Sequence, residues 1–590
     1  METFGGATSP ERQAKRRLPA VAWSCAMATV LALATMAPVA AGNGEEATSR
    51  VRNMAAAAAT SASSPPPPST RANVASICRS TPYPSACETA LTSSEARSAR
   101  GRDPFAASVQ FAMARATKAR SLARNLSAAP APSGMRDCAE LLDISLAQLR
   151  DARRRRAADA DGATTWLSAA LTNQGTCNDS LASAAPRRAG PGRDAVRKQV
   201  AALAQFISTA LALHVKNVKG VAAGGGVTPS AATAATSPNK GTEFPSWLSE
   251  HDRRFLESPA TDVITPDAVV ALDGSGTHRS INEAIAAVTA ATVETEASGG
   301  RRGAGGFRRR KVIRVKAGRY KESVSISYRQ ENVMLVGDGK GKTIIEGNKS
   351  VAGGYTTFSS ATFAAMGAGF IAKGLSIINS AGPGMGQAVA LLVGGDRSVV
   401  YQCEIKAYQD TLFTHSNRQF YAEDDISGTV DFIFGNSAAV FQRCYIQARR
   451  PIRGQQDVVT AQGRADPNQN TGISIHRCRI AAASDLGETP VYLGRPWKPY
   501  SRVAVMETAL DGSVAPAGWL AWPDQPVPST TLYYGEYRNT GAGAETEGRV
   551  AWTGVHTSMS TADATGFTVK NFIMGDSWLG ATGVGYNPGL

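Results

Sequence analysis

Histidine is scarce in this chain. Its six His residues lie far apart in 590 positions, without the spacing of metal ligands. No metal is expected, and no cofactor. No Gly-x-Ser-x-Gly turn occurs either, which argues against a serine hydrolase built on a nucleophile elbow. Aromatic residues are few, at 7%, and charged residues unremarkable, at 19%, so most of the chain reads as soluble and globular. A net charge of +15 suggests a nucleic-acid partner, but the surplus is local. Up to Arg254 there are 31 Lys and Arg against 18 Asp and Glu; beyond it, 32 against 30. No nucleic-acid-binding motif accompanies the basic part, so no such partner is expected. A weak attraction of that part to a polyanion is all the charge supports.

The length implies several segments. Residues 1–45 read as a signal peptide or signal anchor: Lys15, Arg16 and Arg17 precede an apolar run that ends in small residues. Export follows, and the sequons at Asn125, Asn178 and Asn348 are compatible with it. Residues 46–72 form an Ala/Ser/Pro-rich linker. Residues 73–218 carry helical periodicity, as in Val196, Val200, Leu203, Ile207 and Leu211, and are expected to form a four-helix bundle. Residues 219–254 are a second linker ending in the dibasic pair Arg253-Arg254. From 255 to 590 the period changes to short β-runs punctuated by Gly and Asn. An Arg- and Gly-rich insertion, Ser298 to Arg310, interrupts that region.

Cysteine follows the same division. Cys78, Cys87, Cys138 and Cys177 in an exported helical domain imply two disulfides. Cys403, Cys444 and Cys478 recur at one position of the β-region, as small apolar core residues.

Repetition is what the β-region has most of. Ile405 and Ile426 lie 21 residues apart, Ile446 follows after 20, and Asp410 and Asp431 each fall five residues after an Ile. A repeat of about 20–25 residues made of short strands suggests a β-solenoid. Coils stack about 4.8 Å apart, so two Asp at equal register become neighbouring carboxylates. Two such anions do not both ionise easily, and the pair divides into a protonated acid and a charged nucleophile or base. The plain alternative is a pair of turn-forming Asp. Flanking residues favour chemistry: Gln387, about one coil earlier, and Gln409 offer amide donors for an oxyanion. Arg495 offers a guanidinium fork that keeps one Asp ionised. Phe434 and Trp497 offer flat faces of the kind that pack against sugars.

Five ordered motifs, Gly318-Arg-Tyr-Lys-Glu322, Gln387-Ala-Val-Ala-Leu391, Tyr408-Gln-Asp-Thr-Leu412, Asp431-Phe-Ile-Phe-Gly435 and Leu493-Gly-Arg-Pro-Trp497, resemble the signature set of plant pectin methylesterases. The resemblance covers roughly residues 255–590. The segments Ile77 to Cys87, Asp137 to Leu142 and Ala169 to Cys177 resemble a pectin methylesterase inhibitor domain. The tandem resembles a plant pro-pectinesterase. It implies a right-handed parallel β-helix after an all-α domain, disulfides Cys78–Cys87 and Cys138–Cys177, and processing at Arg253-Arg254. It implies secretion to the cell wall and action on methyl-esterified homogalacturonan. Asp431 is the implied nucleophile and Asp410 the acid and base. Gln387 and Gln409 are the implied oxyanion donors and Arg495 the orienting group, with Thr357, Gln387, Arg495, Trp497 and Phe434 contacting substrate. Implied partners are the chain's own inhibitor-like domain or separate inhibitor proteins.

One departure stands out. Where the resemblance implies a cysteine partner for Cys444, seven residues before the second Asp, this chain has Asp424. The three β-region cysteines are therefore expected as buried thiols. Rival readings are a pectin lyase, which needs a Ca²⁺ cluster, an inverting glycosidase, which needs carboxylates about 6.5–9.5 Å apart, and an inactive esterase domain serving as a binding module. Gln387, Gln409 and Arg495 together favour the esterase.

Overall fold

The computed structural model describes residues 68–95, 103–127, 133–182, 191–224, 265–297, 309–523 and 525–590. The targeting segment, the dibasic pair and most of both linkers lie outside the described residues.

The described residues of the N-terminal part are mainly helical. Two short helices, α1 (Pro68–Cys78) and α2 (Pro84–Thr92), are clipped together by the Cys78–Cys87 disulfide. Four long ones follow: α3 (Pro104–Leu126), α4 (Ser133–Arg155), α5 (Ala160–Ala182) and α6 (Pro191–Gly224). Their apolar stripes meet in one core containing Val109, Leu141, Leu142, Leu149, Leu167, Leu203 and Ile207. Cys138–Cys177 ties α4 to α5 inside it. The helical part extends beyond the expected 73–218 at both ends. Pro68 opens α1, where a proline's missing N–H costs nothing, and α6 carries on to Gly224 through Val221, Ala222 and Ala223.

The remainder is a parallel β-helix of three sheets, with eleven, seven and eight strands, every pairing parallel. Helix α7 (Ile281–Ala297) caps its first coils, burying Ile281, Ala284 and Ile285 against Ile313 and Val315. Residues 298–308 of the Arg-rich insertion lie outside the described residues; at its end Arg309 pairs with Asp267, and Arg310 donates to the Gly369 carbonyl. Inward-facing β-branched residues stack coil on coil. Ile377, Ile405, Ile426, Ile446 and Ile480 form one such ladder by register.

Each coil turns a corner on a left-handed residue: Gln402, Glu423, Arg443, Arg477, Glu507 and Arg538 all have φ between 48° and 57°. After four of these corners the next residue accepts the N–H of its counterpart one coil earlier. Asp424 Oδ1 accepts from Cys403 N at 2.7 Å and Cys478 Sγ from Cys444 N at 3.3 Å. Thr508 Oγ1 accepts from Cys478 N, and Asn539 Oδ1 from Thr508 N, at 3.2 and 3.1 Å. The position thus selects compact acceptors as well as apolar bulk, which explains how Asp424 sits among the cysteines. Burial pushes its carboxyl well above the usual range. Cys403, Cys444 and Cys478 are buried free thiols, and the sulfur beside Cys444 is that of Cys478.

Candidate active site

One sheet carries the site. Its strands β1 (Leu391–Val393), β2 (Leu412–Thr414), β3 (Ile433–Gly435), β4 (Asp457–Gln462) and β5 (Val491–Pro496) are successive neighbours. Leu412 pairs with Ile433, which puts Asp410 and Asp431, each two residues before its strand, at equal register on adjacent coils. Both adopt left-handed backbone, with φ of 62° and 52°, a conformation costly for a residue with a Cβ and one that clusters at functional sites. Phe413 stacks on Phe434 one coil on, at 4.3 Å between ring centres. Gly463 lets Trp497 approach: a Cβ there would lie 2.7 Å from the indole.

Thr357, Gln387, Gln409, Asp410, Asp431, Phe434, Arg495 and Trp497 line one cavity of about 290 Å³. Every site residue anticipated from the sequence is therefore brought together. Phe358, Phe413, Ala461 and Trp522 line it too. Arg495 reaches Asp431 through a two-pronged bridge, Nε to Oδ1 and Nη2 to Oδ2, both 2.7 Å. Trp522 covers the guanidinium face at 4.0 Å.

The two carboxyls differ in surroundings. Asp410 is only 6% exposed, and burial, then the charge of Asp431, holds its carboxyl well above the usual range. Asp431 is equally buried, which also raises it, but the Arg495 fork counters that rise with two charge-assisted hydrogen bonds. Asp431 therefore ionises first and Asp410 keeps its proton. The site holds a fixed anion, a neighbouring acid, two amide side chains and an aromatic wall. That set suits nucleophilic attack on a carbonyl with proton delivery to a leaving oxygen.

The helical part lies across this cleft. Thr176, Asp179 and Ser180 of α5 contribute to the cavity wall. Thr176 Oγ1 meets His415 Nε2 at 3.0 Å, and Thr172 Oγ1 accepts from Asn436 Nδ2 at 2.8 Å. Gln469 donates to the Ser168 carbonyl and Asn470 to Thr165 Oγ1, both at 3.0 Å. Asp137 of α4 accepts from Thr356, and Ser208 of α6 donates to Asp466, each at 2.5 Å. Burial keeps His415 neutral, lowering it to about 3.

A pectinesterase family model matches residues 267–576, and a plant invertase/pectin methylesterase inhibitor model matches residues 72–213. A probable pectinesterase/pectinesterase inhibitor of Arabidopsis thaliana is 46% identical over 82% of this chain and 88% of its own. Pectinesterase 1 of Citrus sinensis is 43% identical over 77% of this chain and 76% of its own. The chain belongs to the pectinesterase family. Pectin methylesterase from carrot, a solved structure, is 50% identical, with a TM-score of 0.52, and covers 56% of this chain and 100% of its own. The whole of that solved chain is thus matched by little more than half of this one.

Two features of this pectinesterase site escape the sequence motifs. Trp522 lies in a loop after Trp519 rather than in the coil repeat. The docking face of α5 was visible as hydroxyl residues at helical spacing, Thr165, Ser168, Thr172, Thr176 and Ser180. A polar stripe of that kind reads equally as a solvated face until its partner is known.

Proposed function

We propose that this pectinesterase hydrolyses the methyl esters of homogalacturonan, giving methanol and pectate, after its helical domain has left the cleft. Asp431 attacks the C6 carbonyl carbon, and the amides of Gln387 and Gln409 hold the charge that develops on oxygen. The tetrahedral intermediate collapses as Asp410 gives its proton to the departing methoxide. Asp410, now ionised, takes a proton from water, which attacks the acyl-enzyme and frees Asp431. Arg495 keeps Asp431 charged and oriented, while Thr357, Phe434 and Trp497 position the sugar. The observation that carries this reading is the Arg495 fork on one carboxyl of the adjacent pair and not on the other.

The docking of α5 over the cavity supports autoinhibition: substrate and helix need the same space. Tethering keeps the helical domain at about millimolar effective concentration. Export to the cell wall and cleavage after Arg254 would then dilute the helices and release activity; separate inhibitor proteins would use the same face.

The test compares the 255–590 fragment with the full-length chain carrying Arg253→Ala and Arg254→Ala. The fragment should release methanol from pectin without lowering its viscosity, and the uncleavable chain should be nearly silent. Falling viscosity would mean chain cleavage and reject the esterase. Equal rates would reject autoinhibition.

A further inference from the structure

Helix α5 presents the cleft with hydroxyls and one carboxylate, the polar groups of an unesterified galacturonate. That carboxylate, Asp179, lines the catalytic cavity and lies 3.8 Å from Lys498 Nζ. Burial raises its pKa, and Lys498 is the strongest influence opposing the rise, ahead of the Asn178 amide and Arg197. Asn178 and Arg197 belong to the helical domain and leave with it. Lys498 stays, directly after Trp497 and three residues beyond Arg495, its Nζ 5.1 Å from the centre of the Trp497 ring. Asp179 is the ion-pair partner of Lys498 among the described residues. Withdrawal of α5 therefore leaves a cation at the lip of the cleft, facing a place that a carboxylate has just vacated.

We propose that Lys498 is a specificity residue: it pairs with the C6 carboxylate of an already de-esterified galacturonate next to the ester under attack, and Asp179 occupies that place in the covered chain. The inference rests on the esterase reading above. A methyl ester carries no charge for the ammonium to meet, so the product of one hydrolysis binds better for the next. Lys498 and Asp179 are each about a third exposed, at 34% and 39% of their side chains. A pair of that exposure contributes up to about 1 kcal/mol, or fivefold in affinity.

The experiment uses the 255–590 fragment, native and with Lys498→Ala or Lys498→Arg, on fully and half-esterified homogalacturonan of equal length. The native fragment should favour the half-esterified substrate about fivefold in kcat/KM, chiefly through KM, and less so in high salt. Lys498→Ala should erase that preference and Lys498→Arg keep it. Trigalacturonate, used as an inhibitor, should bind about fivefold more weakly to Lys498→Ala. An unchanged preference in Lys498→Ala, or an equal loss on both substrates with trigalacturonate binding intact, would overturn the proposal; the second result would assign Lys498 to packing under Trp497. A native fragment that releases methanol from neither substrate would instead remove the esterase reading, and the proposal with it.

Discussion

Asp457 opens the strand that carries Ala461 and leads to Gly463, and it is fully buried. Neither of its carboxyl oxygens has a hydrogen-bond partner among the described residues. Burial, then the nearby charge of Asp485, pushes its pKa from 3.8 up to about 9. A raised folded-state pKa means that the stability attached to this group is complete below pH 3.8 and declines as pH rises, until pH passes about 9. At pH 7 the folded state must hold a proton that the unfolded chain has released, which costs about 4 kcal/mol. Asp457→Asn removes that cost and leaves a buried amide whose unmet hydrogen bonds cost about 2 kcal/mol. The net gain is about 2 kcal/mol at pH 7, or roughly 4 °C in thermal midpoint for a domain of this size. At pH 5 the proton cost is only about 2 kcal/mol, and the two changes cancel. Far-UV circular dichroism melts of the native and Asp457→Asn 255–590 fragments between pH 5 and 8 measure this directly. A difference that does not grow with pH, or a variant less stable at pH 8, would refute the reasoning.

Arg495→Lys keeps the charge but loses the fork, so methanol release should fall about 100-fold. The acid limb of its pH profile should move to higher pH, because Asp431 then takes up a proton more readily; an unmoved limb would separate Arg495 from Asp431. Burial raises Asp137, which accepts from Thr356 of the β-helix, to about 6, so the docked state favours its protonated form. Docking is then strongest in acid and weakens between about pH 4 and 6, and the uncleavable full-length chain should leak more activity across that range and no more above it. Asp137→Asn should flatten that rise, and a leak that persists unchanged would assign it to another group.

Much of the architecture was legible because a solenoid writes its register into the chain. The spacing of Ile405, Ile426 and Ile446 is the pairing found between their strands. The same arithmetic aligned Asp410 with Asp431. What was not legible depends on contacts without a period. Trp522 reaches Arg495 from a loop, and α5 recognises the cleft through hydroxyls such as Thr165 and Thr176 whose partners lie in the β-helix, hundreds of residues away in sequence. Asp424 looked like a lost disulfide partner because acceptor geometry at a coil corner has no signature in one sequence. The ends of α1 and α6 ran past the expected boundaries because Pro68-Ser-Thr-Arg-Ala72 and the Gly- and Ala-rich end of α6 suit helix and linker alike.

Assignment of Asp431 as the nucleophile and Asp410 as its acid and base carries the proposed chemistry. It is tested most directly by methanol release from pectin with the 255–590 fragment carrying Asp431→Asn or Asp410→Asn, each checked by circular dichroism for an unchanged fold. Both substitutions are nearly isosteric, and each should lower turnover by about a thousandfold or more. A folded Asp431→Asn fragment that keeps a tenth or more of native turnover would contradict the account.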